Sequence, residues 1–440
     1  MALIRDRGPR CATLNEIVPI RPPPVDATAN TPPVYQIDLS LPPAMRYVQV
    51  VDRHFNRIQQ LRRVFEGILE CVPLPNSILY FVTRALLHRV YSKEQTEEIK
   101  GISAVSKLPM YLIIAYNVFL DLLMGCTSGG VRVQPSDRSR ARMMHFRALD
   151  WEMPGLRNLL VQFEYVARPG EPVIARTVSY VGFVGVLTGV RDGLSASINC
   201  RAYHNDDGSF IANVKYRFQQ LAVVLGFKPS IASIMRDFII PRTAPGQDQS
   251  ENRSSQVEAK PRYSEADIST LLPSIRSSAA YLIFCTPSET FALEKDRKTA
   301  NILSSSTFIA VTNHDISYED QSPHLAHASK GRLGMTMQDI NKNSIDRKRC
   351  LVVKWEKWRE RQSYNSRKGR ARADGVPLEV LKAWMMEAPT CGYLTHFVCV
   401  MDPKKGEFKW IREIEVGEVQ VEEIESVCPV CHGPGGPRYM

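Results

Sequence analysis

The residue whose type and setting could do chemistry most directly is Cys126. It stands in the run Gly125-Cys126-Thr127-Ser128, where a long apolar, helix-like stretch gives way to small residues and then to a strand-like pattern. A cysteine thiol becomes a strong nucleophile when a neighbouring base or positive charge favours the thiolate. A single cysteine at such a junction is more often structural, so the residue type alone leaves both roles open.

Cysteine and histidine residues elsewhere in the chain raise the question of a metal site. Cys428-Pro-Val-Cys431-His432 supplies only half of a tetrahedral zinc site, because no second CxxC pair or distant histidine pair at finger spacing accompanies it. The same run matches a c-type haem attachment motif, but the exported context of such proteins is not visible. We therefore expect a flexible tail there, and neither a metal nor an organic cofactor. Three histidines without a fixed period are interpreted as solvated loop residues: His314, His324 and His327.

Composition places the chain among ordinary globular proteins. Of its 440 residues, 44% are hydrophobic and 23% are charged, which excludes a disordered, collagen-like or disulfide-scaffold protein. The N-terminus reaches a charge at Arg5 and has no apolar core, so no secretory signal is visible and a cytoplasmic location is favoured over a lysosomal or vacuolar one. The most apolar stretch, Leu108 to Met124, carries Asn117 and Asp121 and is interpreted as a buried helix, not a membrane span.

Hydrophobic periodicity divides the chain into a helical N-terminal part and a larger part rich in strands. A proline-rich, disordered arm is predicted at 1–33, a helical N-terminal subunit at 34–125, a catalytic domain at 126–412 and a tail at 413–440. The expected class is α+β with antiparallel sheets. Strand patterns lie at 34–39, 142–150, 159–166, 177–184, 195–199, 279–284, 290–293, 306–312 and 395–401; helical patterns lie at 44–70, 77–125 and 214–240, with a polar linker at 243–263.

Several short motifs, in order, give the chain a family resemblance that runs from about residue 32 to 412. These motifs are Pro32–Pro43, Gly125–Ser128, Phe146–Trp151, Gly185–Gly193, Val311–Asp315 and Asp346–Arg349. With them the chain resembles the acid ceramidase and N-acylethanolamine acid amidase group of N-terminal-nucleophile (Ntn) hydrolases, which is related to bile-salt hydrolases. Asn199-Cys200-Arg201 departs from the Asp-Glu-Arg that lysosomal relatives tend to carry.

The resemblance implies an Ntn-hydrolase αββα sandwich and a chain that cuts itself before Cys126. Cleavage would free the α-amino group of Cys126, whose ordinary pKa of about 7.7–8.0 suits a general base beside the thiol. The two parts would then stay associated.

The resemblance also implies roles for four further residues. Asp150 would orient the α-ammonium group, Arg147 would position the thiol or substrate, and Asn313 would be an oxyanion-hole donor. An arginine after the asparagine motif would complete the site, with Arg347 as the candidate and Arg349 as the alternative. By spacing alone, a surface ion pair is the preferred interpretation of Arg147 and Asp150, and without the resemblance Asn313-His314-Asp315 would be a turn.

The charge of the chain is concentrated in one segment. Residues 330–372 hold fourteen Lys/Arg and four Asp/Glu, a balance of +10 that equals the net charge of the whole chain. Trp355, Trp358 and Tyr364 lie among these basic residues, a composition that can bind an anionic membrane surface or nucleic acid. The same segment is equally typical of an exposed helix face. Given the resemblance, an anionic membrane is the preferred partner, and no nucleic acid is expected.

These observations lead to a hypothesis about function. The chain is expected to hydrolyse the N-acyl amide bond of a lipid, with ceramide as the first candidate substrate and an N-acylethanolamine as the second. The alternative is a catalytically idle homologue that binds anionic lipid or nucleic acid.

Overall fold

A computed structural model describes residues 30–70, 75–119, 124–135, 139–151, 153–201, 210–242, 261–319, 337–368 and 373–415. The helices are α1 (Val48–Arg53), α2 (Phe55–Ile58), α3 (Leu61–Glu70), α4 (Asn76–Leu86), α5 (Lys93–Ser106), α6 (Met110–Phe119), α7 (Phe210–Val224), α8 (Ile231–Ile239), α9 (Asp267–Thr270), α10 (Met337–Arg367) and α11 (Leu378–Met386). The strands are β1 (Val34–Asp38), β2 (Met124–Gln134), β3 (Arg142–Trp151), β4 (Leu160–Val166), β5 (Val173–Tyr180), β6 (Thr188–Arg191), β7 (Leu194–Cys200), β8 (Ala280–Cys285), β9 (Thr290–Lys295), β10 (Ala300–Ser305), β11 (Phe308–Val311), β12 (Val376–Pro377), β13 (Thr395–Asp402) and β14 (Glu407–Glu413).

The strands form two sheets. Eight strands make the first sheet in the order β1-β4-β5-β6-β7-β8-β9-β10, and the second has the order β11-β2-β3-β13-β14 with β12 paired to β2. Apart from β1 against β4 and β12 against β2, which are parallel, the strand pairs are antiparallel. Antiparallel neighbours are what the alternating sequence patterns predict.

Alternation of side chains along β13 shows how the layers are built. Val398 and Val400 pack outward in a cluster with residues of α11 and of the middle of α10, whereas Phe397, Cys399 and Met401 join the main core between the sheets. Helices from the N-terminal part and α8 cover the outer face of the eight-stranded sheet. The result is a helix, sheet, sheet, helix sandwich, which confirms the predicted mixed α+β fold.

The N-terminal segment is part of this sandwich and not a separate body. Strand β1 is an edge strand of the eight-stranded sheet, with Tyr35 opposite Phe163 of β4. Side chains of α1, α3, α5 and α6 belong to the same hydrophobic core as those of β4, β5 and β7. The predicted boundary at 125/126 falls inside β2, so it does not separate two hydrophobic cores.

A buried ion cluster joins the N-terminal segment to the larger part. Glu98 on α5 is 1% exposed and accepts hydrogen bonds from Arg236 on α8 at 2.6 and 2.7 Å and from Arg46 at 3.0 Å. Arg236 also donates to the carbonyl oxygen of Val184 at 2.6 Å. Removing one partner of such a cluster leaves a buried charge uncompensated, which typically costs about 3–5 kcal/mol.

Two predicted element boundaries differ from the structure for identifiable backbone reasons. The predicted strand 177–184 ends at Tyr180, because Gly182 adopts a φ of +90°, a conformation that extended strands do not use. The predicted helical stretch 77–125 is broken at Lys107, whose φ is 58°, and it gives way to β2 at Met124. Helix α6 packs into the main core, and among the described residues no helix is long and apolar enough to span a membrane.

Some predictions fall outside the described residues. They concern most of the proline-rich arm, nearly all of the 243–263 linker, the histidines at 324 and 327, and the Cys428, Cys431 and His432 motif. The described part of the tail ends at residue 415.

The two sheets lie very close together at Gly130 on β2, and this leads to a prediction about stability. An ideal Cβ at this position would lie 1.9 Å from Thr290 Oγ1 and 2.8 Å from Thr290 Cβ on the opposing sheet. Because Thr290 is itself fully buried, Gly130→Ala forces the sheets apart, and we expect a loss of about 1–3 kcal/mol in the free energy of unfolding. Urea denaturation followed by circular dichroism measures this loss.

Gly155→Ala is the matched control, since the nearest atom to its added Cβ, Gln60 Oε1, lies 3.7 Å away. Equal urea midpoints for the two variants would contradict the packing argument.

Candidate active site

Cys126 lies on β2 with no exposed surface, at the inner face of the six-stranded sheet. Its register partner on β3 is Leu149. Arg147, two residues earlier, has its side chain on the same face of the sheet as Cys126, and Asp150 directly follows Leu149. The guanidinium Nη2 of Arg147 donates to Cys126 Sγ at 3.3 Å. In the uncleaved chain, the backbone nitrogen of Cys126 is an amide.

Asn313 holds that backbone nitrogen. It follows the end of β11, and its Oδ1 accepts from the Cys126 N–H at 2.8 Å and from Arg347 Nη2 at 2.9 Å. Its Nδ2 donates to the carbonyl oxygen of Cys200 at 2.9 Å. The oxygen of the amide therefore faces Cys126, and the oxyanion-donor role expected of the nitrogen stays a prediction.

Asp150 lies beside the peptide bond that the resemblance expects to be cut. Gly125 is its register partner, and an ideal Cβ on Gly125 would lie 4.0 Å from Asp150 Oδ2. Thr395 on β13 donates to Asp150 Oδ1 at 2.6 Å, and Arg347 Nη1 approaches Oδ2 at 3.4 Å. Burial raises the pKa of the Asp150 carboxyl, while Arg347 and the Thr395 hydrogen bond act in the opposite direction.

The structure distinguishes between the two candidate arginines of the basic segment. Arg347 is 4% exposed and connects Asn313, Asp150 and the hydroxyl of Thr127, which accepts from Nη1 at 2.9 Å. Arg349 is exposed. The difference follows from helix geometry, because residues two apart on α10 point in different directions.

All five residues predicted for the site thus lie together: Cys126, Arg147, Asp150, Asn313 and Arg347. Burial raises the pKa of the Cys126 thiol, and Arg147 acts against this rise. The thiol is therefore held mainly protonated in the uncleaved chain, next to a cation that stabilises the thiolate once a base removes the proton.

A model of the beta subunit of N-acylethanolamine-hydrolyzing acid amidase matches residues 30–90. The N-acylethanolamine-hydrolyzing acid amidase of Caenorhabditis elegans is 28% identical over 250 residues, which are 53% of this chain and 61% of that protein. The acid ceramidase of Heterocephalus glaber is 26% identical over 197 residues, 41% of this chain and 48% of that protein. The predicted family resemblance is confirmed.

The chain spans about half to three-fifths of the length of these relatives from the acid ceramidase and acid amidase family. A solved structure of the Caenorhabditis elegans ortholog of the N-acylethanolamine-hydrolyzing acid amidase aligns with a TM-score of 0.42 and 20% identity. That alignment covers 66% of this chain and all of the other.

Two further predictions from the sequence can be compared with the structure. His314 is not solvated: it is 3% exposed, and its Nδ1 contacts Ser344 Oγ at 2.7 Å. Its burial follows from the Asn313 motif, which packs against the start of α10. Within the described ranges, no group of three or more His, Cys, Asp or Glu side chains is arranged to hold a metal ion.

A small cavity adjoins the site on the side of Asp150. Its volume is about 70 Å³, and Arg347, Tyr393 and Thr395 are among the residues that line it. This volume accommodates water molecules but not a long acyl chain. Cys126 itself has no exposed surface, so a molecule from solvent can reach the thiol only after a change in this region.

Residues of the opposing sheet also contribute to the site, and the sequence analysis missed them. Asn199 on β7 accepts from Ser128 Oγ at 2.8 Å and from Arg147 Nη1 at 3.4 Å. His145, two residues before Arg147, contacts Ser195 Oγ at 3.1 Å and Ser197 Oγ at 2.8 Å, both on β7. A polar residue at every second position of β7 was the available signal, because it places a polar row between the sheets.

His145 generates a prediction about acid stability. Burial and the nearby Arg147 lower the pKa of His145 to about 3, so the folded protein keeps this ring neutral. Between about pH 6.5 and 3 the unfolded chain binds a proton that the folded chain does not, which lowers stability by about 1.4 kcal/mol per pH unit. We expect His145→Gln to flatten the dependence of the urea midpoint on pH across that window.

The urea midpoints of the variant and the original chain are also compared at pH 7.5, where this protonation effect is absent. A simple packing defect shifts the midpoint equally at every pH, so it is distinguished from a change in slope. A slope identical to that of the original chain would contradict the assignment of His145.

Proposed function

We propose that the chain is a cysteine Ntn amidohydrolase that activates itself by cutting the Gly125–Cys126 bond and then hydrolyses the N-acyl amide of a lipid. The observation that carries this proposal is the contact set of one residue. The nitrogen of Cys126 is bound by Asn313 at 2.8 Å, and its sulfur is bound by Arg147 at 3.3 Å. Any buried backbone N–H needs an acceptor, but a cysteine with a purely structural role needs no arginine against its sulfur.

Self-cleavage would proceed by attack of the Cys126 thiol on the carbonyl carbon of Gly125. The bond from that carbon to the Cys126 nitrogen breaks as a thioester forms, and the nitrogen leaves as an amine after it gains a proton. Water then hydrolyses the thioester and restores the thiol. Asp150, beside Gly125, is the carboxylate placed to exchange these protons, and burial keeps its pKa above the ordinary range.

The mature site would use the new α-amino group as its base. Asn313 Oδ1 already lies where this group forms, and Asp150 and Arg347 extend the network that orients it. The amine takes the thiol proton, the thiolate attacks the amide carbonyl of the substrate, and the α-ammonium protonates the leaving amine. Water then releases the fatty acid from the thioester.

The substrate class is proposed from the relatives, since the small cavity of the uncleaved chain does not define a head group. Ceramide is the first candidate, as several acid ceramidases match the chain. An N-acylethanolamine is the second candidate, favoured by the family model at residues 30–90 and by the Caenorhabditis elegans relative. Both are N-acyl amides with a hydroxylated amine part, and the proposed chemistry is the same.

An anionic membrane surface remains a proposed partner only for the outer side of α10. Trp355 stacks on Phe308 with ring centroids 5.1 Å apart, and Trp358 packs against the same outer core. Of the three aromatic residues in the basic segment, Tyr364 is the exposed one, at 58%. A membrane contact would therefore rest on exposed Lys and Arg side chains and not on inserted tryptophan rings.

The decisive experiment follows the Gly125–Cys126 bond by intact-mass spectrometry. Purified protein is incubated between pH 4.5 and 8, and hydrolysis of a ceramide and of an N-acylethanolamine is measured in parallel. We expect two fragments, with Cys126 at the new N-terminus, and amidase activity that rises with the cleaved fraction. Cys126→Ala should remain one intact chain without activity, because both reactions need the thiol.

Cys399→Ala is the matched control, since that cysteine is equally buried on the inner face of the same sheet. It should cleave and hydrolyse as the original chain does. A chain that stays uncleaved and inert at every pH, while it binds anionic vesicles or nucleic acid with a steep salt dependence, would favour the binding alternative.

A second prediction uses the two arginines of α10. Arg347→Gln removes the contacts to Asn313 and Asp150, and we expect self-cleavage to slow by about 10- to 100-fold, the range that the loss of a buried charged hydrogen-bonding group gives. Arg349→Gln makes the same chemical change at an exposed position and should leave the rate unchanged. Rate constants from the mass series, with urea midpoints to verify folding, provide the comparison. Equal rates for both variants would remove Arg347 from the proposed site.

A further inference from the structure

The side chain of Asn199, on β7 of the eight-stranded sheet, contacts three neighbouring strands of the other sheet. Val311 of β11, Ser128 of β2 and Arg147 of β3 are register partners. Asn199 Nδ2 donates to the Val311 carbonyl oxygen at 3.0 Å and to that of Thr312 at 3.2 Å, and its Oδ1 accepts from Ser128 and Arg147. Asn199 itself is fully buried.

We propose that Asn199 is a positioning residue, which holds Arg147 against the Cys126 thiol and holds the strand end that carries Asn313. This inference rests on the proposed function. Asn199 contacts neither the thiol nor the peptide bond to be cut, and it acts through the two residues that do: Arg147 binds Cys126 Sγ and Asn313 binds Cys126 N. Both contacts require that Val311, Ser128 and Arg147 stay aligned across their three strands, and Asn199 is hydrogen-bonded to all three residues.

The contacts require an amide at this position. One end of the side chain must donate, since it faces two carbonyl oxygens, and the other end must accept, since it faces a hydroxyl and a guanidinium group. A carboxylate satisfies the accepting end but places negative charge against the two carbonyl oxygens. A protonated carboxyl satisfies both ends. At neutral pH, Asn199 therefore supplies both a hydrogen-bond donor and an acceptor, whereas an acidic side chain would supply both only when protonated.

The charges around Asn199 set the direction of the pH effect in an Asn199→Asp variant. Burial and the two carbonyl oxygens favour the protonated carboxyl, whereas Arg147 on β3 favours the ionised form. Other titratable or charged groups nearby are Tyr281, its register partner on β8, and Arg201 and Asp315, which both contact Tyr281. His145 on β3 binds Ser197 on the same face of β7, and His314 lies beyond Thr312. Full burial raises a carboxyl pKa by as much as about 3–5, which is more than the about 1–3 by which a neighbouring opposite charge lowers it, so we expect a pKa above the ordinary value of about 3.9.

The sign of the stability effect follows from that shift. A carboxyl whose pKa is raised in the folded state contributes most below about pH 3.9, and its contribution is lost as the pH rises through the folded-state pKa. The Asn199→Asp chain should therefore match the original chain in acid and lose stability relative to it towards neutral pH. Self-cleavage should change in parallel, because the same hydrogen bonds position Arg147 and Asn313.

The experiment has two parts, one of which does not depend on catalysis. In a Cys126→Ala background, which cannot cleave, urea midpoints are measured with and without Asn199→Asp between pH 4.5 and 8. In the Cys126 chain, the rate of self-cleavage after refolding from urea is measured over the same range. We expect a cleavage rate about 10- to 100-fold below the original at pH 7.5, the range expected for an unsatisfied buried group, and recovery towards the original rate at pH 4.5.

Asn117→Asp is the matched control. Asn117 on α6 is buried, its Nδ2 donates to the carbonyl oxygens of Ile113 and Gly182 at 2.9 Å each, and its Oδ1 accepts from the Val184 N–H. It repeats the hydrogen-bond chemistry of Asn199 without a contact to Arg147 or Asn313. We expect the same pH-dependent loss of urea midpoint and an unchanged rate of self-cleavage wherever the chain is folded.

The outcomes distinguish a failure of the proposed role of Asn199 from a failure of the proposed function. An Asn199→Asp chain with unaltered midpoints, with a deficit that is equal at every pH, or with no folded state even in acid overturns the role of the amide. A pH-dependent midpoint with an unaltered cleavage rate overturns the positioning role. If the original chain never cleaves, the proposed function fails, and the urea series still decides what Asn199 does in the fold.

Discussion

A buried positive charge governs the arrangement of the site. Arg147 is fully buried between the sheets, and its hydrogen-bond partners among the described residues are the sulfur of Cys126, the hydroxyl of Ser128 and the amide oxygen of Asn199. None of these groups is a carboxylate. A guanidinium group cannot lose its proton in a protein, so its desolvation has to be offset by neighbouring acceptors. Arg147 favours the thiolate of Cys126, whereas burial keeps the thiol protonated in the uncleaved chain. The same arginine therefore couples the stability of the layer between the sheets to the reactivity of one thiol.

The sequence predicted the fold class and named five site candidates that the structure brings close together, but for different reasons. Alternating residues in 142–150, 195–199 and 395–401 predicted β3, β7 and β13, since each strand buries at least one face. Strand β10 was missed because its residues are half-exposed at a sheet edge and do not alternate. Asn199 was noticed only as a departure from relatives. Its partners are up to 113 residues away on the other sheet, and a pattern along one strand contains no information about contacts across a sandwich.

The concentration of charge in residues 330–372 has a structural explanation for part of its length. Helix α10 has three kinds of surface. Arg347 points into the site, Leu351 and Trp355 pack against the six-stranded sheet, and Arg359 and Arg361 are exposed. One basic helix thus supplies a buried cation and an apolar contact as well as a charged outer side. Counting charges along the sequence cannot separate these roles, because they depend on the 3.6-residue period of the helix and on which face meets the sheet.

A cut before Cys126 would leave most of the contacts between the two parts of the chain unchanged. Strand β1 is hydrogen-bonded along β4, the core is continuous across the cut, and Glu98 remains bound to Arg236 on the other side. A single peptide bond contributes nothing to these contacts, so its loss adds chain entropy to the separated state without removing buried area. Local movement around Gly125 is then the main structural consequence. Since Cys126 has no exposed surface in the intact chain, such movement is what would open the thiol to a substrate.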